Sequence, residues 1–221
     1  MTLTALSDIG FLASASPALR AMVRRLAQHT QLARGETLFE QGDLGDVLFA
    51  IISGQVEVSV MSVEGQKLSL DIMGPGDLFG EIALFSPGPR TATVRATRKT
   101  EVWGLKNADV LGALKSDPDL YVDMIELAGR RMRWMSTQYH EQVFMDVTTR
   151  LARKILHLSG PELAELQMSH ADLAAFIGVT RETVSKTLSA WKRDGFIQLG
   201  RGTLTVIDAP ALKNISNDAS F

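Results

Sequence analysis

The 221-residue chain has no cysteine. That absence excludes disulfides, a thiolate nucleophile, Cys-ligated iron–sulfur clusters and Cys-based structural zinc, and it fits a reducing compartment such as the cytoplasm. No run of about 18 apolar residues occurs, so no membrane-spanning helix is expected. Met1 to Gly10 carries Asp8 and lacks a basic stretch ahead of an apolar run, so no secretory leader is expected either. Excess positive charge is also lacking. The formal net charge of −2 excludes a uniformly basic nucleic-acid binder and confines any such surface to a local patch. What is present is 45% hydrophobic and 22% charged residues, an ordinary balance for a globular chain. The length fits one large domain or two small ones, with enough apolar residues for real cores.

Pro17 to His29 reads as a short amphipathic helix, with Leu19, Met22, Val23 and Leu26 at helical spacing. From Gln31 short β-rich runs alternate with glycine turns at Gly35, Gly42-Asp43, Gly45-Asp46, Gly54, Glu64-Gly65 and Gly74-Pro75-Gly76-Asp77. The clearest strand is Gln55 to Val60, a period of two with valines on one face. Leu68, Leu70 and Ile72 repeat that pattern after Glu64-Gly65, which predicts a hairpin. Thr91–Ala96 and Glu101–Leu105 extend it, so an all-β barrel or roll is expected.

After Leu105 the helical period takes over. Asn107 reads as the cap of a short helix through Leu114. Asp117-Pro118 supplies an N-cap followed by proline at the first helical position, opening a helix to about Met145. Tyr121, Ile125, Ala128, Met132, Met135 and Tyr139 recur at alternating spacings of four and three, a coiled-coil seam on a helix about 40 Å long. A long helix packed on its own domain is the alternative. A dimer seam is favoured because a small β-roll offers little surface to cover it. Asp146 opens a further helix, Val147 to Leu158, ending near Ser159-Gly160-Pro161. Residues 161–167 read as a connection.

Ser169-His170-Ala171-Asp172 resembles a capping box, with Asp in the last position. It opens a helix bearing Leu173, Ala174 and Phe176. Ile177-Gly178-Val179 makes a tight turn, and Thr180 caps a second helix from Arg181 to Trp191, at helix-turn-helix spacing. Val184, Leu188 and Trp191 form its inward stripe, while Arg181, Glu182, Ser185 and Lys186 face outward near its N-terminus, the end that enters a major groove. Arg can donate two bonds to guanine, Glu can accept from cytosine N4, and Lys can reach a guanine acceptor or a phosphate. An ordinary solvated face is the other reading. Phe196–Leu199, Gly200-Arg201-Gly202 and Thr203–Ile207 then form a hairpin, a wing. Between Met168 and Val206 five basic residues (Arg181, Lys186, Lys192, Arg193, Arg201) oppose three acids (Asp172, Glu182, Asp194), so this module is locally basic as phosphate contact requires.

The most specific stretch runs Gly80-Glu81-Ile82-Ala83-Leu84-Phe85-Ser86-Pro87-Gly88-Pro89-Arg90-Thr91-Ala92-Thr93-Val94. A carboxylate and a guanidinium nine residues apart flank a Gly/Pro-rich turn. Backbone amides near Gly80 and Glu81 and the Arg90 fork can hold a phosphate, and Glu81 can accept from a ribose hydroxyl. A surface salt bridge across a loop is the alternative from chemistry alone.

This stretch resembles the phosphate-binding cassette of cyclic-nucleotide-binding domains. Together with Thr180-Arg181-Glu182-Thr183-Val184 and Asp146-Val147-Thr148-Thr149-Arg150, it makes nearly the whole chain resemble the catabolite-activator (CRP/FNR) superfamily. The resemblance implies an α+β architecture: a jelly-roll-like β-roll over residues 1–116, a dimerisation helix over 117–145 and a winged helix-turn-helix over 146–221. It implies a bacterial, cytoplasmic, non-enzymatic transcription regulator. Such a protein works as a homodimer on a palindromic TGTGA-like site in double-stranded DNA, gated by cAMP or cGMP, with RNA polymerase as a further partner and no membrane.

Carried over by position, Gly80, Glu81, Ile82, Ala83, Arg90 and Thr91 would hold the cyclic phosphate and ribose, and Val58 and Leu70 would line the pocket wall. Arg181, Glu182 and Lys186 would read bases, with Thr180, Ser185, Ser169 and Arg201 as further DNA-binding residues. In cAMP-binding members a Thr-Ser pair on the long helix reaches the purine, the Ser coming from the partner subunit. Here the pair reads Met135-Ser136. Met135 cannot hydrogen-bond the adenine amino group, which leaves cGMP, or weak discrimination, open beside cAMP. Lys186 replaces the family's last base-contacting Arg, so base choice is expected to relax there. An effector-independent regulator with a vestigial pocket is the alternative function. An iron–sulfur sensor needs Cys. His29, His140, His157 and His170 are scattered, so neither a haem sensor nor a cupin-like metal enzyme is expected, and no metal is called for.

Overall fold

The computed structural model describes residues 10–160, 162–163 and 165–217. The reading of residues 1–9 as free of a leader, and the place of Pro161 at a helix end, lie outside the described residues. The chain divides into two compact units, Met1–Met61 with Leu70–Arg133, and Ser62–Ser69 with Trp134–Phe221.

In the first unit, α1 (Phe11–Ser14) and α2 (Pro17–Leu26) precede eight strands. These are β1 (Gln28–Leu32), β2 (Thr37–Phe39), β3 (Val47–Ser53), β4 (Val56–Met61), β5 (Lys67–Met73), β6 (Leu78–Phe79), β7 (Thr93–Ala96) and β8 (Thr100–Lys106), with the short helix α3 (Ile82–Phe85) between β6 and β7. They form two four-stranded sheets, ordered β1-β8-β3-β6 and β2-β7-β4-β5. Strand β3 explains its own near-continuous apolar run. Phe49 and Ile51 join Val56, Met73, Phe79, Val94 and Val102 in a core drawn from both sheets. Leu48, Ala50 and Ile52 point the other way, against Leu19, Val23, Val110, Leu114, Leu120, Met124 and Leu127 of the helices. Both faces are buried, so the alternation expected of a half-exposed strand is absent.

Four local readings are corrected here. Helix α2 ends at Leu26, because Ala27 is extended and β1 starts at Gln28, with His29 opposite Trp103 of β8. Helix α4 (Asn107–Ser116) takes Asn107 as its first residue rather than its cap; the Asn107 side chain donates to the Ala83 carbonyl at 3.2 Å. The long helix α5 (Leu120–Phe144) starts after Asp117-Pro118. There Leu120 and Tyr121 bond back three residues, to Asp117 and Pro118, in a tighter turn. On β5 the buried residues are Ser69 and Met73, while Leu68 is exposed and Leu70 and Ile72 half-buried, as befits the sheet's edge strand.

Within α5, Leu120, Asp123, Met124 and Leu127 are buried. The Asp123 carboxylate is 5% exposed and accepts from the Ser16 amide at 2.9 Å and the Ser16 hydroxyl at 2.6 Å, while Ser16 caps α2. The expected seam residues Tyr121, Ile125, Met132, Met135 and Tyr139 are exposed.

The second unit holds α6 (Val147–Ser159), α7 (His170–Ile177), α8 (Arg181–Arg193), the hairpin β9 (Ile197–Leu199) with β10 (Leu204–Val206), and α9 (Ala209–Asn217). Its core joins Leu151, Ile155, Leu173, Ile177, Val184, Leu188, Trp191 and Leu212. Leu166, expected to lie in a plain connection, exchanges both backbone bonds with Leu204, at 2.9 and 3.0 Å. Helix α9 has no counterpart in the sequence reading, although Asp208 marks its start by accepting from the Ala211 amide at 2.9 Å. Among the described residues no helix is long and apolar enough to cross a membrane.

Candidate functional site

The β-roll builds a cradle from two sides. After β6, Gly80 turns the chain at φ 81° into α3. A Cβ at Gly80 would lie 2.7 Å from Arg90 Nη1 and 3.0 Å from the Val47 carbonyl oxygen, so only glycine fits. Glu81 precedes α3 and is 5% exposed. The first-turn amides of Ile82 and Ala83 have no carbonyl within the helix to bond.

Arg90 closes the other side. Its own amide donates to the Asp43 carbonyl at 2.7 Å, and its carbonyl accepts from the Gly42 amide at 2.9 Å. The side chain is drawn inward: Nη2 donates to the Val47 carbonyl at 2.8 Å and Nη1 to the Gly80 carbonyl at 3.3 Å. The guanidinium carbon stands 4.2 Å from the centre of the Phe39 ring. Burial lowers the Arg90 pKa from its ordinary value, opposed by Asp46, Asp43 and Glu81, and a guanidinium so placed stays charged. Its remaining N–H groups can serve an anion.

Glu81 is not left bare. Arg131 of α5 donates from Nε to Glu81 Oε1 at 3.1 Å and from Nη2 to the Leu78 carbonyl at 2.7 Å. Its Nη1 stands 3.9 Å from Asp71 Oδ2. Neither Arg131 nor Asp71 was among the expected site residues. The signal that could have found Arg131 is its place one helical turn before Met135.

A cyclic nucleotide needs a cation for its phosphodiester and an acceptor for its ribose hydroxyl. This unit supplies both from buried groups about a side-chain-free Gly80, so the residues fit that ligand. Of the remaining expected residues, Ile82 and Thr91 are exposed and Ala83 is buried. Val58 is half-buried on β4 opposite Val94, and Leu70 is half-buried on β5. Met135 and Ser136 are exposed, on the part of α5 that belongs to the second unit. Among the described residues no group of three or more His, Asp or Glu is placed to hold a metal ion.

In the second unit, Ser169 caps α7 through a reciprocal capping box with Asp172, and Gly178 ends that helix in the left-handed conformation at φ 71°. Thr180 caps α8 by accepting from the Thr183 amide at 3.3 Å. The hydroxyls of Ser169 and Thr180 are therefore engaged in capping. Val184, Leu188 and Trp191 are buried, which turns Arg181, Glu182 and Lys186 outward. Ser185 is half-buried, and its Oγ lies 2.8 Å from His170 Nδ1. Arg201 is exposed at the tip of the wing, whose turn closes by a Gly200 amide bond to the Thr203 carbonyl at 3.0 Å. Behind the module, Arg150 of α6 donates to the Ile177 carbonyl at 3.2 Å and also to Gln142. A helix with exposed Arg, Glu and Lys opposite a buried apolar stripe, followed by a hairpin with Arg201 at its tip, has the form that enters a major groove in helix-turn-helix proteins.

The comparisons with known proteins identify a domain family in each part of the chain. The cyclic nucleotide-binding domain family matches residues 29–117, and the Crp-like helix-turn-helix domain family matches residues 149–215. The "Cyclic AMP receptor protein" of Thermus thermophilus is 35% identical over 83% of this chain and 85% of its own length. The "CRP-like cAMP-activated global transcriptional regulator" of Mycobacterium tuberculosis is 32% identical over 94% of this chain and 96% of its own. A solved CRP/FNR-family regulator from Thermus thermophilus superposes with a TM-score of 0.76 at 25% identity, covering 87% of this chain and 100% of the other. With a cyclic nucleotide-binding domain around the Glu81–Arg90 cradle and a Crp-like helix-turn-helix domain around α8, this chain belongs to the CRP/FNR family of transcriptional regulators.

Proposed function

We propose that this chain is a cyclic-nucleotide-responsive regulator, with cAMP the first candidate and cGMP the second. It acts as a homodimer on a palindromic TGTGA-like site. The observation that carries the reading is the burial of Glu81 and Arg90, 5% and 7% exposed, on either side of a glycine that cannot take a side chain. Arg90 would hold the cyclic phosphate, Glu81 the ribose hydroxyl, and the Ile82 and Ala83 amides the remaining phosphate oxygens. Arg181 and Glu182 would read the outer bases of each half-site, with looser choice at Lys186. The exposed apolar residues of α5, Ile125 at 71%, Met132 at 71% and Tyr139 at 73%, support a second copy as partner. The three-part division at 116/117 and 145/146, a cytoplasmic setting, the lack of enzymatic activity and recruitment of RNA polymerase belong to the same reading.

Nucleotide binding would act as a population shift between two arrangements of the dimer. A calorimetric titration with cAMP and cGMP side by side tests the effector. Binding of a TGTGA-type duplex with and without each nucleotide tests the gating. Affinity unchanged by either nucleotide would leave the second reading, a regulator with a vestigial pocket. That reading draws on Arg90 being already bonded to the Val47 and Gly80 carbonyls.

A further inference from the structure

We propose that His170 is a positioning residue for base recognition: its Nδ1 holds the hydroxyl of Ser185 on the recognition helix and so sets which base edge that serine accepts. The inference rests on α8 reading DNA, and it concerns a residue that neither the motif nor the helix face singled out.

The two side chains come from different helices of the helix-turn-helix. His170 is the first residue of α7, immediately after its cap Ser169, and Ser185 lies one turn along α8 from Arg181 and Glu182. Nδ1 and Oγ are 2.8 Å apart and both residues are half-buried. Among the described residues no hydrogen bond is made to the other ring nitrogen, Nε2, so it remains for solvent or a phosphate.

A serine hydroxyl carries one proton. A neutral imidazole carries one too, and the bond made by one ring nitrogen sets the role of the other. In the tautomer that carries its proton on Nε2, Nδ1 accepts and the Ser185 proton is committed to His170. The outward face of Ser185 then offers lone pairs only. In the major groove those suit an amino group, cytosine N4 or adenine N6, and they reject guanine O6 and N7 and thymine O4. Without the imidazole the hydroxyl turns freely and accepts or donates, so the preference disappears. A phosphate contact alone would carry no such base information.

The test is selection of bound sequences from a randomised duplex library by the full chain, with cAMP and cGMP both present. Wild type is compared with Ser185→Ala, His170→Ala, His170→Asn and the double alanine variant, and thermal melts check that each folds. Asn places a polar atom near the Nδ1 position. The expected result is that both alanine variants relax the same single base pair, by about threefold to tenfold, as one net hydrogen bond allows. The double variant relaxes it no further, His170→Asn restores it, and the other positions keep their preference. The proposal is overturned if His170→Ala weakens binding equally on all sequences, if the two alanine variants act at different positions, or if His170→Asn behaves as His170→Ala. A wild-type chain that enriches no sequence overturns the DNA reading itself, which separates the two failures.

Discussion

The Arg131 guanidinium sits on the Glu81 carboxylate, with Nε 3.1 Å from Oε1. The Glu81 side chain is 6% exposed and that of Arg131 25%, so the pair joins the long helix to the turn that follows β6 from a mostly dry position. A buried carboxylate without a cation is costly, and Arg131 supplies one whose hydrogen bond also fixes the Glu81 orientation. The acceptor proposed for the ribose is thus held by a residue outside the cassette motif.

Replacing Arg131 by Met keeps the bulk and removes the charge. The expected outcome is a loss of roughly 1–3 kcal/mol in stability, since one partner of a largely buried charge pair is deleted. Nucleotide affinity should fall with it, because Glu81 loses its orientation. Thermal melts and calorimetric titration of the same preparation check both, and Arg131→Met with unchanged stability would remove the argument.

Arg90→Ala should weaken cyclic-nucleotide binding by about tenfold to a hundredfold, the worth of a charge-assisted hydrogen bond. Arg90→Lys should recover little, because a lysine cannot reproduce the fork that reaches both the Val47 and Gly80 carbonyls. Circular dichroism should show the β-roll still folded. Titration of the two variants against wild type checks the order.

Gly80→Ala should be worse than its size suggests. The residue sits at φ 81°, and its Cβ would meet Arg90 Nη1 at 2.7 Å. Strain of about 1–3 kcal/mol at that backbone is expected, together with displacement of Arg90 and loss of nucleotide binding. A melt and a titration read the two effects separately.

Arg181→Ala should cost about 1–3 kcal/mol of DNA affinity at one base position and leave cyclic-nucleotide titration unchanged. Fluorescence anisotropy on a set of single-base variants of the half-site measures it. Equal loss on every sequence would show a phosphate contact instead of base reading.

Local signals in the chain were strong where local physics decides. The Ser169–Asp172 capping box, the Gly178 turn and the stripe of Val184, Leu188 and Trp191 were legible because each depends on neighbours within a few residues. Element starts were less legible. Pro118 suggested the opening of the long helix, yet α5 begins at Leu120, because a turn of three-residue bonds satisfies the backbone first. The β5 pattern pointed to Leu68, Leu70 and Ile72 as the packed face, but Ser69 and Met73 are the buried residues.

By itself, the sequence determined the order of the modules, the Gly/Pro-rich stretch flanked by Glu81 and Arg90, and the outward face of the helix from Arg181 to Lys186. These are carried by residue type and short spacing. Only the tertiary structure decided that Arg131 pairs with Glu81 across 50 residues, that Arg90 reaches the Val47 carbonyl across 43, and that His170 meets Ser185 on another helix. Such contacts depend on how sheets and helices stack, and no local periodicity encodes which side chains that stacking brings within hydrogen-bond reach.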